Sequence, residues 1–293
     1  MENYKLVRTI MLSFFPVIFL IGLFGNVISL YIYSKKRFKN TFFNIYFRFL
    51  NIVYLCCLSY MIIDFMNYQL DFNLEILSTY SCKIIYYYFY ILAPNGSWIL
   101  VIVSLNSMLS VLYPTKFRLI RTNQTIQKSI CIFFLIFNFS YYIEVPILQN
   151  FSQKESFDNE TNTTEFELSC ESNDIIYWMD LANSTCLPSI LMILFTSITI
   201  SHLFRARFKI SKRDIKFALV CILLNVSFLM FNLPIILYGL VNNYFHINYE
   251  LSNLLYIVTA LPYYAKLGDV FYISLIVNIP FRKELTKTFK FFK

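Results

Sequence analysis

The stretch IMLSFFPVIFLIGLFGNVISLYIY, residues 10–33, contains no charged side chain, and Lys35, Lys36 and Arg37 follow it almost at once. About 20 apolar residues in a helix cross a bilayer core that is roughly 30 Å thick. A soluble domain has no way to bury such a run on all sides. The stretch is also too long for a cleavable signal peptide and lacks a small-residue cleavage site. It predicts a retained signal-anchor helix that spans a membrane.

Further apolar stretches follow along the chain, and the composition agrees with them. The sequence is 58% hydrophobic and 14% charged, against about 25% charged in soluble domains. Only five glycines are present, which disfavours a barrel of short strands joined by turns. We expect an all-α, seven-transmembrane helix bundle in one domain, residues 1–293, ending in a short amphipathic helix at 279–293. The predicted spans are 10–33, 44–66, 80–112, 128–148, 176–203, 215–241 and 251–278.

The charges between the stretches predict the orientation. Basic clusters follow the first, third, fifth and seventh stretches, whereas the segment between the fourth and fifth is rich in Asp and Glu. Lys and Arg are retained on the cytosolic side of membrane proteins. The sequence therefore predicts a cytosolic C-terminus, an extracellular N-terminus and a plasma-membrane location. The net charge of +8 comes from these clusters, so it does not indicate nucleic-acid binding.

The acidic segment carries further signs of exposure outside the cell. Its neighbourhood contains the glycosylation sequons at Asn150, Asn159, Asn162 and Asn183. Matches at other asparagines fall inside spans or in a cytosolic loop and are interpreted as accidental. Five of the seven cysteines lie in apolar spans, which leaves Cys82 and Cys170 on the oxidising side. We expect these two to form a disulfide.

Several residues at matching intervals resemble the rhodopsin-like G-protein-coupled receptors. Ser97-Trp-Ile-Leu-Val-Ile-Val-Ser104 and Leu112-Tyr-Pro-Thr-Lys-Phe117 look like invertebrate receptors of the FMRFamide-peptide type. The remaining marks are single residues in the spans and at the start of the tail: Gly25, Asn26, Cys82, Pro114, Pro188, Phe228, Pro234, Phe281 and Arg282. The resemblance implies a receptor that transmits ligand binding to a cytosolic heterotrimeric G protein.

The switch residues of that family differ in this chain. Asn106-Ser107-Met108 stands where the family has the triplet Asp-Arg-Tyr. In the family, the arginine of this triplet contacts the G protein. Asn232 stands where the family has a tryptophan in span six. In span seven, Asp269-Val-Phe-Tyr272 replaces the family's Asn-Pro-x-x-Tyr motif. With Pro114 and Asp214, these residues form the expected G-protein and switch region. A signalling-deficient receptor fold that acts as a decoy or a dimer partner is therefore an alternative.

The polar residues within the spans suggest a ligand site. Asp64 faces either lipid headgroups or a ligand cavity. Lys266 and Asp269, three apart on span seven, are placed to pair. A retinal Schiff base on Lys266 is disfavoured, because a count back from Phe281 turns this lysine away from the pocket. The expected ligand-contacting residues are Asp64, Tyr86, Phe89, Tyr90, Asn232 and Tyr238.

The ligand class follows from the aromatic third span and the acidic loop. Phe89 occupies the position at which amine receptors place an aspartate, so a small amine is disfavoured. Aromatic rings attract guanidinium and ammonium groups, and the acidic loop attracts cations, which favours a cationic neuropeptide. A transporter or channel is a weaker alternative, because glycine and intramembrane charges are few. No enzyme motif, cofactor motif or metal-ligand cluster is evident, so we expect none of these.

Overall fold

The computed structural model describes residues 2–39, 41, 43–70, 72–113, 123–148, 150–158, 163–171, 174–205, 212–245 and 248–291. Its α-helices are α1 (Glu2–Tyr33), α2 (Lys36–Lys39), α3 (Asn44–Leu70), α4 (Thr79–Leu112), α5 (Gln124–Tyr141), α6 (Val145–Leu148), α7 (Asp174–Asp180), α8 (Leu187–Arg205), α9 (Lys212–Phe245), α10 (Tyr249–Lys266), α11 (Asp269–Val277) and α12 (Ile279–Phe291). A π-helix, Leu181–Cys186, joins α7 to α8, and a short 3-10 helix, Leu74–Ile76, precedes α4.

Helices that are long and apolar enough to cross a membrane dominate the described part of the chain. Six such segments are present there: Lys5–Tyr33, Asn44–Asn67, Thr79–Leu112, Gln124–Leu148, Ile175–Arg205 and Asp214–Asn242. Large apolar side chains also remain exposed on their outer faces, for example Leu20, Phe133 and Met230. Helices that are apolar on every side belong in lipid. The chain is therefore an α-helical membrane protein.

The predicted first span is longer in the structure than in the sequence analysis. Helix α1 begins at Glu2 rather than at residue 10, because the polar first turns continue the helix beyond the apolar run. At the other end, the predicted seventh span at 251–278 is two shorter helices, α10 and α11. They meet at a turn formed by Leu267 and Gly268.

The turn between α10 and α11 is held by a buried side chain of α1. The amide Nδ2 of Asn26 donates to the carbonyl oxygen of Leu267 at 2.6 Å and to that of Gly22 at 2.8 Å. A broken helix leaves carbonyl groups without partners, and in an apolar surrounding each unpaired carbonyl destabilises the fold. Asn26 supplies the missing donor. This polar residue in an apolar span therefore has a structural role.

A β-hairpin lies between α6 and α7, which the all-α prediction did not include. Strands β1 (Asn150–Asp158) and β2 (Thr163–Glu171) pair antiparallel, with residue 151 opposite Cys170. Cys170 is joined to Cys82 at the start of α4, so the predicted disulfide is confirmed. The hairpin is thereby fixed to one end of the helix bundle. All described segments that cross the membrane remain helical.

The opposite end of the bundle is closed by aromatic packing beneath the C-terminal helix. The Tyr33 ring lies 5.4 to 6.2 Å from those of Phe38, Phe43, Phe47 and Phe281. Its hydroxyl is 2.8 Å from Oγ of Ser274 on α11. These contacts dock α12 against α1 and α3.

Helix α12 is also attached through charged groups on its exposed face. Arg37 donates to Oε1 of Glu284 at 3.1 Å, and Nζ of Lys287 lies 3.5 Å from the same oxygen. The hydrogen bond from Arg37 lowers the pKa of Glu284. The amphipathic C-terminal helix predicted at 279–293 is thus present over its described part, Ile279–Phe291.

Candidate functional site: a cavity beneath the disulfide-bonded hairpin

A cavity of about 190 Å³ lies within the helix bundle. Water occupies about 30 Å³ per molecule in the liquid, so the space matches roughly six waters or a small organic group. Most of the lining is apolar or aromatic, with a few polar groups that converge on it. The lining residues are Tyr60, Phe89, Ala93, Ser97, Tyr177, Asp180, Leu181, Ser184, Thr185, Asn232, Ile235, Ile236, Tyr256, Ala260, Tyr263, Tyr264 and Lys266.

The cavity lies toward the end of the bundle that carries the hairpin. Its α4 residues begin at Phe89, two turns after the disulfide-bonded Cys82. Its α7 and π-helix residues follow directly on β2, and its α9 residues lie in the half of that helix nearest α10. The hairpin and the cavity therefore share one end of the molecule. An apolar cleft with a few placed polar groups is the usual form of a ligand site.

Lys266, the last residue of α10, lies on the cavity wall and is 5% exposed. Its Nζ donates to Oδ1 of Asn232 at 3.0 Å and lies 4.5 Å from the ring centre of Tyr263 and 4.8 Å from that of Phe228. The prediction that this lysine turns away from the pocket is wrong. The count from Phe281 assumed one continuous helix, whereas the chain breaks at Gly268 and again at Asn278.

The expected pairing of Lys266 with Asp269 is not what the structure contains. Asp269 lies beyond the turn, at the start of α11, where its Oδ2 accepts a hydrogen bond from Ser227 at 2.9 Å. Within the described residues its Oδ1 has no hydrogen-bond partner, although the side chain is only 6% exposed. The two residues lie on different helices, so the three-residue spacing no longer places them on one helix face, although their charges still interact.

Asp180 supplies a carboxylate to the cavity from the end of α7. Its Oδ1 accepts from the Tyr142 hydroxyl at 3.0 Å, and its backbone carbonyl accepts from Ser184 Oγ at 2.7 Å. The following residues form the π-helix Leu181–Cys186. Single turns of π-helix are frequent at functional sites. The sequence analysis did not assign Asp180 to the site.

A buried polar network extends from Asp180 across three helical segments. Asn183 donates to Oδ1 of Asn138 at 2.9 Å and to the Tyr142 hydroxyl at 3.2 Å, and it accepts from Trp98 Nε1 at 3.0 Å. Asn183 is 4% exposed. The prediction that Asn183 carries a glycan is therefore wrong: the amide nitrogen that a glycan needs is enclosed among helices and already hydrogen-bonded.

Asp64 on α3 lies behind the cavity wall and does not line it. Its Oδ2 accepts from the Tyr264 hydroxyl at 2.5 Å and from that of Tyr256 at 3.0 Å. Both tyrosines belong to the cavity lining. The sequence left two alternatives for Asp64, namely contact with lipid headgroups and direct contact with a ligand. The structure supports neither of them. The carboxylate fixes the orientation of two rings that face the cavity.

The other predicted ligand-contacting residues divide into two groups. Phe89 and Asn232 are on the cavity wall. Tyr86 and Tyr90 instead pack with Tyr142 in a neighbouring aromatic cluster. Tyr238 is not part of the cavity lining, and its hydroxyl is 3.0 Å from Oγ of Ser252 on α10.

The predicted switch residues of span three are packed within the bundle. Ser107 is buried, and Asn106 donates to the Ile102 carbonyl oxygen at 2.9 Å, while Met108 is partly buried. Pro114 lies outside the described residues. Asp214 is buried in the first turn of α9, and the Tyr272 hydroxyl donates to the Ile21 carbonyl oxygen at 3.4 Å.

The remaining predicted positions are structural residues and sequons. Pro188 is buried at the start of α8, and Phe228 is buried two turns of α9 before Pro234, which lies inside that helix. Asn150 is the first residue of β1. Asn159 and Asn162 lie outside the described residues, so their glycosylation stays a prediction.

No protein-family model matches this sequence, and no curated protein matches it. The resemblance to rhodopsin-like receptors therefore stays a prediction from the motifs. Among the residues that the structure describes, no group of three His, Cys, Asp or Glu side chains is arranged to hold a metal ion.

The sequence analysis missed most of the polar and aromatic wall. Tyr256, Tyr263 and Tyr264 come from the predicted seventh span, in which the sequence suggested roles for Lys266, Asp269 and Tyr272 only. The available signal was the density of hydroxyl-bearing aromatics in this span. Aromatic residues are equally common against lipid, however, so only tertiary contacts show which of them face inward.

Proposed function

We propose that the chain is a cell-surface receptor of the rhodopsin-like G-protein-coupled class, with α10 and α11 together forming the seventh span. Their combined range, 249–277, is long enough to cross a bilayer. Both helices pack against α1 and α9, which closes the bundle. The break at Leu267 and Gly268 supports this proposal, because its freed carbonyl is satisfied inside the protein by Asn26.

The proposed orientation has the N-terminus and the hairpin outside the cell. Support comes from the basic clusters that follow the first, third, fifth and seventh stretches, and from the acidic hairpin region. The disulfide agrees with this orientation, since disulfides persist in oxidising compartments. On this proposal the cavity opens toward the extracellular side.

The observation that carries the proposal is the aromatic cavity beneath the disulfide-bonded hairpin. An external ligand would reach it past a segment whose sequence is strongly acidic, between Glu144 and Asp180. Such a segment attracts cations over about 8 Å in physiological salt. The proposed ligand is therefore a neuropeptide with cationic character, whose binding shifts the equilibrium between arrangements of the helices.

The proposed G-protein face is the opposite end of the bundle. Its basic segment, residues 205–216, leads into α9, whose first turn contains Asp214. The same basic residues also attract anionic lipid headgroups.

A decoy or dimer partner is the second candidate function. It is favoured by the replacement of the expected span-three arginine by Ser107, a short and buried side chain.

The test is G-protein activation in cells that express the chain, with and without pools of neuropeptides. A receptor gives activation that depends on one pool, and surface labelling confirms that the protein reaches the plasma membrane. Surface expression with peptide binding but without activation would favour the decoy. Surface expression with neither would reject both candidates.

A further inference from the structure

Two charged groups line the cavity, and one of them, Lys266, has unused hydrogen-bond donors. Lys266 Nζ has three N–H donors, and among the described residues only Asn232 Oδ1 accepts from it. No carboxylate oxygen of those residues lies within 4.0 Å of this nitrogen. Asp180 also lines the cavity, and its Oδ1 accepts from the Tyr142 hydroxyl at 3.0 Å.

Two aromatic rings adjoin the ammonium group of Lys266. The faces of Phe228 and Tyr263 lie within 5 Å of Nζ, close enough for a cation–π attraction. The nearest charge of opposite sign, on Asp269, interacts with Lys266 without a hydrogen bond or an ion pair within 4.0 Å, so two of the three N–H donors of Lys266 have no acceptor among the described residues. An anionic ligand group would accept hydrogen bonds from these two donors. Within the described part of the chain, no other Lys or Arg lines the cavity.

The two charges also lie at different depths. Asp180 is in the second turn of α7, close to the hairpin end, whereas Lys266 is the last residue of α10, and α10 begins at that same end with Tyr249. An α-helix rises 1.5 Å per residue, so the 18 residues of α10 place Lys266 roughly 25 Å along that helix. The carboxylate therefore lies nearer the entrance and the ammonium group nearer the base.

We propose that the cavity binds a peptide by its free C-terminal carboxylate, which Lys266 holds at the base, while Asp180 holds a cationic group of the same ligand nearer the entrance. The aromatic wall between them accommodates the last side chain. This binding mode rests on the proposed function, because the ligand comes from outside the cell. It adds that the C-terminal end of the peptide enters the cavity first. It also predicts discrimination against peptides whose C-terminus is amidated.

The test uses the purified full-length chain in lipid nanodiscs and the tripeptide Lys-Ala-Phe as the probe. Three forms are compared by titration: the free acid, the C-terminal amide and the N-acetylated acid. The free acid is expected to bind about tenfold or more tightly than the amide, the range for a hydrogen bond to a charged group. Equal binding of acid and amide, or no binding of the acid, overturns the proposal.

The variant Lys266→Met is expected to abolish the preference for the acid, so that acid and amide bind with the same Kd. Lys128→Met is the matched control, because Lys128 is exposed on α5 and does not line the cavity. A preference that survives Lys266→Met also overturns the proposal. Should Lys266→Met fail to fold, the comparison of acid with amide on the unmodified protein still decides the question.

The role of Asp180 is tested separately with Asp180→Asn. This variant is expected to weaken binding of the free acid and to leave the preference for acid over amide in place. These titrations require no G protein. Acid-selective binding without cellular signalling would support this inference and reject coupling to a G protein. Signalling by amidated peptides alone would support coupling and reject this inference.

Discussion

At the residue scale, the molecule depends on a few asparagines buried among apolar helices. Asn183 connects α4, α5 and the π-helix through contacts with Trp98, Asn138 and Tyr142. Asn26 connects α1 to the turn at Leu267 through a hydrogen bond to the Leu267 carbonyl oxygen. A polar side chain in hydrocarbon is tolerated when its hydrogen bonds are made inside the protein. These residues therefore specify, together with the apolar contacts, which helices meet.

Replacing Asn183 by Ala is expected to lower the free energy of unfolding by about 1–3 kcal/mol, because Trp98 Nε1 loses its acceptor and Asn138 its donor. The thermal midpoint of the protein in detergent measures the change. Cys186→Ala is the control, since Cys186 belongs to the same π-helix but is exposed. Equal midpoints for the two variants would contradict a stabilising network.

At the element scale, close helix contacts depend on glycine. A Cβ added at Gly25 of α1 would lie 3.1 Å from Cβ of Phe271 on α11. Phe271 is itself buried and packs edge-on against Phe24 and Phe281, so it has little room to move. Small residues at such points allow two helix backbones to approach each other closely.

We expect Gly25→Leu to destabilise the protein by about 1–3 kcal/mol, the usual cost of inserting side-chain volume into a packed core. Val27→Leu is the matched control, because Val27 lies on the same helix with its side chain exposed. That change should alter the free energy of unfolding by less than about 0.5 kcal/mol. Thermal unfolding in detergent compares the two, and a Gly25→Leu protein as stable as the control would contradict the packing account.

The hairpin is a second element whose position is restrained, here by a covalent bond. Its disulfide closes a loop with a sequence separation of 88 residues. Cross-linking so long a loop restricts the unfolded chain, and such a bond is worth about 2–4 kcal/mol.

The double variant Cys82→Ser with Cys170→Ser is expected to lose this stabilisation and to show a lower thermal midpoint. A reducing agent should lower the midpoint of the unmodified protein in the same way. Cys186→Ser provides the control, since that cysteine is free and exposed. If reduction left the midpoint unchanged, the disulfide would have no stabilising role.

At the scale of the whole molecule, the sites are divided between its two ends. The cavity and the disulfide-bonded hairpin occupy one end, and the Tyr33 aromatic cluster with α12 occupies the other. A receptor needs such a separation, because ligand and effector act from opposite sides of the membrane.

The orientation predicts where added epitopes are accessible. An epitope inserted within residues 159–162, between the two strands, should be labelled on intact cells. An epitope after Lys293 should be labelled only after permeabilisation. Labelling of the first epitope only in permeabilised cells would contradict the orientation and, with it, the proposed receptor function.

The sequence by itself determined that this is a helical membrane protein, where most spans lie and which two cysteines pair. These conclusions rest on long apolar runs, on clusters of Lys and Arg, and on which cysteines lie outside the spans. Each of these features is a property of the sequence and can be recognised without the fold. Only the tertiary structure decided that Lys266 faces the cavity, that Asn183 is buried and that α10 ends before Gly268. These features depend on which helix faces meet, and lipid-facing and protein-facing residues of a span are equally apolar, so sequence pattern does not distinguish them.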